Sequence, residues 1–218
     1  FIVIMGVPLL IAETAIGRST RLNPLSSVQK LAREQGVSPL WQLIALMGML
    51  SGFLILSFYS VIAGWSLSYA WSIVNGAFSS MNAEQAGAAF SELTSSASRQ
   101  ITWHSVFMLL TLCITARGIH KGLEKGLQIM MPALFLLLLI MLGYSILETG
   151  AFMQGASFMF AVDFSKLNGA AFAAALGQAF FTLSLGMCAL MAYGAYMPSD
   201  SPIVKTAFQV AILDTIVA

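Results

Sequence analysis

From Leu40 to Val74 the chain runs without one Asp, Glu, Lys or Arg. At about 1.5 Å per residue, a helix of that length exceeds the roughly 30 Å of hydrocarbon in a bilayer. Near-continuous apolar stretches recur at Phe1 to Ile16, Ile101 to Ala116, Leu127 to Leu147, Ala170 to Met197 and Val204 to Ala218. Only 9% of the residues are charged and 58% are hydrophobic, whereas soluble domains carry about 25% charged residues. The chain therefore reads as all-α, a polytopic membrane helix bundle whose first partner is the lipid bilayer. Both terminal stretches fall short of the roughly 20 residues of a full span. The expectation is a fragment of a larger protein that begins inside one helix and ends inside another.

The formal charge is +1, and its distribution says more than its value. If the first helix ends inside at Arg18 and the loops alternate thereafter, Arg18, Arg21, Lys30, Arg33, Arg117, Lys121, Lys125 and Lys205 are inner residues. Arg99 and Lys166 are then outer ones. This asymmetry sets the orientation by the positive-inside rule. The first helix then runs outside to inside, which implies an odd number of preceding spans, one in the simplest case. The same topology accounts for the basic residues without a nucleic-acid partner. Cys113 and Cys188 lie within apolar spans and read as small packing residues rather than a disulfide. His104 and His120 read as interfacial, and no metal-ligand cluster or phosphate-binding glycine loop is present.

The inner loop 19–38 places Leu25, Val28, Leu31 and Ala32 at helical spacing among charged residues. It is either an amphipathic segment on the inner interface or a solvated loop. Residues 77–100 read as a polar outer loop with a weak helix. Pro8 marks a kink in the first helix. Between Gly122 and Pro132, glycine's freedom and proline's missing donor mark either a helix end that can loosen or an ordinary tolerated kink.

The stretch "TLSLGMCAL", Thr182 to Leu190, interrupts an apolar helix with two hydroxyls and a glycine. Nonhelical backbone within a membrane is tolerated only where it is buried in protein or lines a wet cavity. One reading is a broken helix whose freed backbone faces a solute or ion, with Gly186 supplying the conformational freedom and Thr182 and Ser184 competing for carbonyls. The other is a packing surface in which Gly186, Ala189 and Gly194 let helices approach closely. Two carboxylates inside apolar spans, Glu13 and Asp214, each require a polar partner, a cation or a proton. Glu13 fits either a structural hydrogen-bond anchor or a direct transport role. Asp214 fits cation coordination or charge compensation.

Five elements, "GVPLLIAETAIGR" at 6–18, "SFYSVIAGWSLSYAW" at 57–71, "KGLEKGLQIMMPALF" at 121–135, "GQAFFTLSLGMCALMAYGAYM" at 177–197 and "AILDTIVA" at 211–218, occur in this order. The set resembles the neurotransmitter:sodium symporter family, particularly its bacterial amino-acid transporters. By that resemblance residues 1–218 form a single transmembrane transporter domain fragment, from the second helix to the beginning of the seventh. The implied fold is part of a five-plus-five inverted repeat with a broken sixth helix. The first helix and most of the second repeat lie outside it.

The resemblance implies sodium-coupled symport of an apolar or aromatic amino acid into the cytoplasm by alternating access, with Na+ as the coupling ion and no enzymatic step. It implies a bacterial inner membrane as the location. Tyr59 would bind the substrate carboxylate and Ile55 would shape the site. Phe181 would cap the pocket, Ser184 would help hold the amino group, and Met187 would line the side-chain subsite. Thr182 and Asp214 would supply oxygens to the first sodium site. Glu13 would anchor the broken sixth helix rather than move with the solute, and Gly122 with Pro132 would permit inner-side unwinding for sodium release. Asp214 replaces a commoner asparagine and would carry the negative charge that chloride provides in relatives. Cys188 replaces the usual glycine. A binding or sensing protein without completed transport, and a proton-coupled carrier, are the alternatives.

Overall fold

The computed structural model describes residues 1–217 except 79–80, 151, 162–163 and 165–166. Lys166 and the side chains of His120 and Lys121 lie outside the described residues. Among the described residues the regular structure is helical throughout. The α-helices are α1 (Val7–Thr20), α2 (Pro24–Glu34), α3 (Gln42–Val74), α4 (Ala83–Ser95), α5 (Ala97–Thr115), α6 (Lys125–Tyr144), α7 (Phe152–Phe160), α8 (Gly169–Thr182), α9 (Ala189–Tyr196) and α10 (Ile203–Val217). Wider π-turns lead into α1 at Ile2–Gly6 and into α6 at Ile119–Glu124. Another follows α6 at Ser145–Thr149. The chain divides into two compact units, residues 1–56 with 163–218 and residues 57–162, and the boundary falls inside α3.

In the first unit, α1 and α9 touch backbone to backbone. A Cβ on Gly17 would collide with the Met191 carbonyl, and a Cβ on Gly194 would collide with the Thr14 carbonyl. Each helix thus offers a glycine to the other's backbone, the close approach that small residues permit in membranes. Gly194 is therefore a packing glycine. Gly186 is not, since nothing lies within 4 Å of the Cβ position there. Val7 and Leu10 of α1 bury against Leu183, Leu185 and the small residues Ala207 and Ala211 of α10. At the basic end of α1, Arg18 donates to the Ser201 carbonyl between α9 and α10.

Residues 24–34 form the amphipathic helix. Asn23 caps α2 by accepting from the Ser26 amide at 2.9 Å, and Pro24 follows where no helical donor is needed. Leu25 and Val28 pack beside Ala45, Cys188 and Met191. The fully buried Ser27 hydroxyl meets Thr20 at 2.6 Å, fastening α2 to the end of α1. Pro8 enters at the start of α1, just after the π-turn in which the Met5 and Gly6 amides both reach the Phe1 carbonyl. The helix passes through it unbroken.

In the second unit, Gly64 of α3 lies against the α5 backbone, where a Cβ would sit 2.9 Å from the His104 nitrogen. The outer segment is more ordered than its composition suggests. Asn82 and Gln85 form a reciprocal capping box at 2.8 and 3.0 Å that starts α4. Phe78 stacks on Tyr69, Phe90 meets Trp65 edge-on, and Arg99 pairs with Glu92 at 2.8 Å. α5 begins at Ala97 under a Ser96 cap rather than at residue 101. α6 runs continuously through Pro132.

Three helical stretches are long and apolar enough to cross a membrane: Ile2–Thr20, Pro39–Val74 and Gly122–Leu147. From Leu134 to Leu142 every side chain is a large exposed apolar one, a surface suited to hydrocarbon or to packing against protein. Two of the other apolar stretches fall short for physical reasons. α5 carries Arg99, Gln100 and His104 in its first turns, and α8 stops after 14 residues because the helix breaks.

The glycine contacts are testable in the complete protein. Gly17→Ala should lower stability by about 1–3 kcal/mol through overpacking. Gly143→Ala, where nothing lies within 4 Å, should leave the melting temperature unchanged or slightly raised. Equal melting of the two variants in detergent would contradict the α1–α9 contact.

Candidate functional site

The break between α8 and α9 is built from alternating left-handed residues. Ser184, Gly186 and Cys188 have φ of 54°, 77° and 62°. Gly186 takes this conformation freely, while the other two carry a cost of order 1–2 kcal/mol each. Cys188 thus adopts the left-handed conformation that glycine takes freely and does not prevent the break. Local bonds close the end of α8: the Ser184 amide reaches the Phe181 carbonyl at 3.1 Å, and the Leu185 amide reaches Phe180 at 2.9 Å.

Tertiary contacts hold what local preference opposes. Alternation sends the Leu183 and Leu185 side chains into the core against α1 and α10. The Cys188 thiol donates to the Ala45 carbonyl of α3 at 3.5 Å. Gly48 makes room for this, since a Cβ there would lie 2.6 Å from the Cys188 sulfur and 2.8 Å from the Gly186 carbonyl. At the centre, the Gly186 amide donates to Glu13 Oε1 at 2.8 Å. Glu13 is 8% exposed, and its Oε2 is buried without a partner in the structure.

Beside the break is an open cavity of about 630 Å³, lined by Thr182, Asp214, Gln178, Thr215 and the first turn of the chain among others. Thr182 Oγ1 and Asp214 Oδ2 are buried with no hydrogen-bond partner. Thr215 instead satisfies its hydroxyl on the Ala211 carbonyl at 2.7 Å. Two buried oxygens without hydrogen-bond partners, on residues that line one cavity, fit a hard cation better than a hydrophobic ligand. Gln178 is a site residue that the sequence reading omitted. Its signal was available: a side-chain amide in an apolar run, one helical turn before Thr182.

The remaining expected residues fall in two places. Phe181 is largely exposed, and Ser184 and Met187 are half-buried along the break. Ile55 and Tyr59 occupy successive turns of one face of α3. Tyr59 is 44% exposed, with its ring edge-on to Phe58. Gly122 is buried in the π-turn before α6, where a Cβ would strike the Ile114 carbonyl, while Pro132 lies farther along α6. Among the described residues no cluster of three His, Cys, Asp or Glu side chains is placed to hold a metal.

Helices fit for a membrane and an interrupted helix beside buried, unsatisfied oxygens define a membrane-transporter segment. A profile of the "Sodium:neurotransmitter symporter family" matches residues 88–218. The chain is 36% identical over 217 residues to the uncharacterized sodium-dependent transporter YhdH of Bacillus subtilis, covering 100% of this chain and 47% of that protein. An uncharacterized sodium-dependent transporter of Haemophilus influenzae is 31% identical over 222 residues, covering 99% and 48%. The uncharacterized sodium-dependent transporter MJ1319 of Methanocaldococcus jannaschii is 30% identical over 219 residues, covering 96% and 43%. The chain belongs to the sodium:neurotransmitter symporter family. It spans just under half the length of these relatives.

The Glu13 bond predicts a split between variants of the complete protein. Glu13→Gln keeps an oxygen for the Gly186 amide and should fold with near-normal stability. Glu13→Leu orphans that amide and should cost about 1–3 kcal/mol. Identical thermal unfolding of the two variants would remove the carboxylate as the anchor of the break.

Proposed function

We propose that the complete protein couples inward movement of Na+ to uptake of an apolar or aromatic amino acid. The observation that carries the ion part is the pair of buried, unpartnered oxygens, Thr182 Oγ1 and Asp214 Oδ2, on one cavity beside the break. Sodium is a hard cation, and hydroxyl and carboxylate oxygens can replace part of its water shell at an interrupted helix. Asp214 also supplies the negative charge that compensates the ion in a low-dielectric region. Membership in a family named for sodium symport supports the coupling.

In this account the substrate roles follow the resemblance. Tyr59 offers its hydroxyl to the carboxylate, Ser184 and the neighbouring backbone take the amino group, and Ile55, Phe181 and Met187 shape an apolar subsite. Glu13 holds Gly186 in place through the cycle rather than travelling with the solute. Gly122 and Pro132 give the inner half of α6 a place to open. The wider architecture is the five-plus-five inverted repeat, of which residues 1–218 supply one section, set in a bacterial inner membrane.

The test is uptake by the complete protein in proteoliposomes over an amino-acid panel. An inward sodium gradient should drive uphill accumulation, and Asp214→Asn should weaken its sodium dependence and introduce a response to added chloride. Accumulation that follows a proton gradient and ignores sodium would replace symport with proton coupling. Saturable binding without accumulation would make the protein a sensor.

A further inference from the structure

A second cleft lies in the unit formed by residues 57–162. It separates the end of α5 from the beginning of α6, has a volume of about 310 Å³, and is lined by Ile114, Arg117, Gly122, Lys125, Gly126 and Ile129. We propose that this cleft binds an anionic phospholipid, with the phosphate between Arg117 and Lys125 and an acyl chain along Ile114 and Ile129.

The chemistry divides the cleft into two parts. Two cations share one small space that has no carboxylate in its lining. The ion pairs among the described residues join Lys30 with Glu34 and Arg99 with Glu92, so neither cleft cation is spent in one. An anion in the cleft is stabilised by both cations, and a guanidinium together with an ammonium suits a phosphate's oxygens. Glu124, next to Lys125 in sequence, is not part of the lining.

The apolar part points to a lipid rather than a free anion. Ile129 is 67% exposed and continues into the uniformly apolar surface of α6, which is suited to hydrocarbon. The floor is a glycine notch. Gly122 sits on the Ile114 carbonyl and the Arg117 stem, while Gly126 reaches only the tip of Ile114 at 4.0 Å. The two helices therefore meet at Gly122 and leave a groove beside Gly126. By the positive-inside rule, Arg117 and Lys125 stand at the inner end of the α6 span beside an apolar groove, at headgroup depth. A bridging phosphate would also tie the end of α5 to the first turn of α6.

The experiment is native mass spectrometry of the complete protein, purified in mild detergent and titrated with phosphatidylglycerol or phosphatidylcholine. Phosphatidylglycerol should be retained in preference to phosphatidylcholine. The Arg117→Gln, Lys125→Gln double variant should bind it about thirtyfold more weakly, counting two basic contacts at the strength usual near an anionic leaflet. Exchanging the two cations, Arg117→Lys with Lys125→Arg, should restore retention. Gly126→Leu, which fills the groove and leaves both charges, should reduce lipid binding. Equal retention of the two lipids, or unchanged phosphatidylglycerol binding in the double glutamine variant, would overturn the site. Displacement of the lipid by inorganic phosphate, with Gly126→Leu silent, would overturn the lipid assignment in favour of a free anion.

Discussion

The hydrogen bond from the Gly186 amide to Glu13 is the interaction on which the transporter-like part of this structure depends. Breaking a helix inside an apolar protein exposes backbone groups that hydrocarbon cannot satisfy. Here one such amide, that of Gly186, is met by a carboxylate from a different helix at 2.8 Å, which costs the burial of an acid. Burying a carboxylate for one bond is unfavourable in isolation. It becomes reasonable when α1 is already fixed against α9 by Gly17 and Gly194, so the acid is delivered without further ordering.

The surrounding contacts divide the labour. Leu183 and Leu185 anchor one side of the break in the core formed with α1 and α10. Cys188 anchors the other side on α3, in a notch that Gly48 leaves open. With both flanks and the middle held, Ser184 and Cys188 remain left-handed despite their side chains. The strain is of the kind that surrounding structure must over-determine if it is to persist. The same arrangement leaves Thr182 at the end of α8, facing the cavity it shares with Asp214.

Much of this was legible in the sequence because the bilayer makes long apolar runs conspicuous, and because Glu13, Asp214 and the hydroxyl-glycine segment are exceptions within them. The two readings of that segment are separated by position: Gly194 packs and Gly186 turns. Other features were hidden for definite reasons. A uniformly apolar run such as Ile2–Gly6 has no face to reveal a change from α to π winding. That Ser184 and Cys188 would turn left-handed runs against their own preferences and needs their tertiary partners. Gly17 and Gly48 look like any membrane glycine until the opposing carbonyl or sulfur is known. The Asn82–Gln85 cap, by contrast, is a local signature within residues 77–100, a stretch whose composition reads only as a polar loop with a weak helix.

The proposed sodium site draws its oxygens from Thr182, at the end of α8, and from Asp214 of α10. The most direct measurement is equilibrium binding of radioactive sodium to the complete protein and to Thr182→Val, which keeps nearly the same shape and removes only the buried hydroxyl. Sodium binding in the variant should be weaker by about tenfold, as for one lost bond to a charged group, with thermal stability retained. Sodium binding identical to that of the unaltered protein, in a variant that is equally stable, would contradict it.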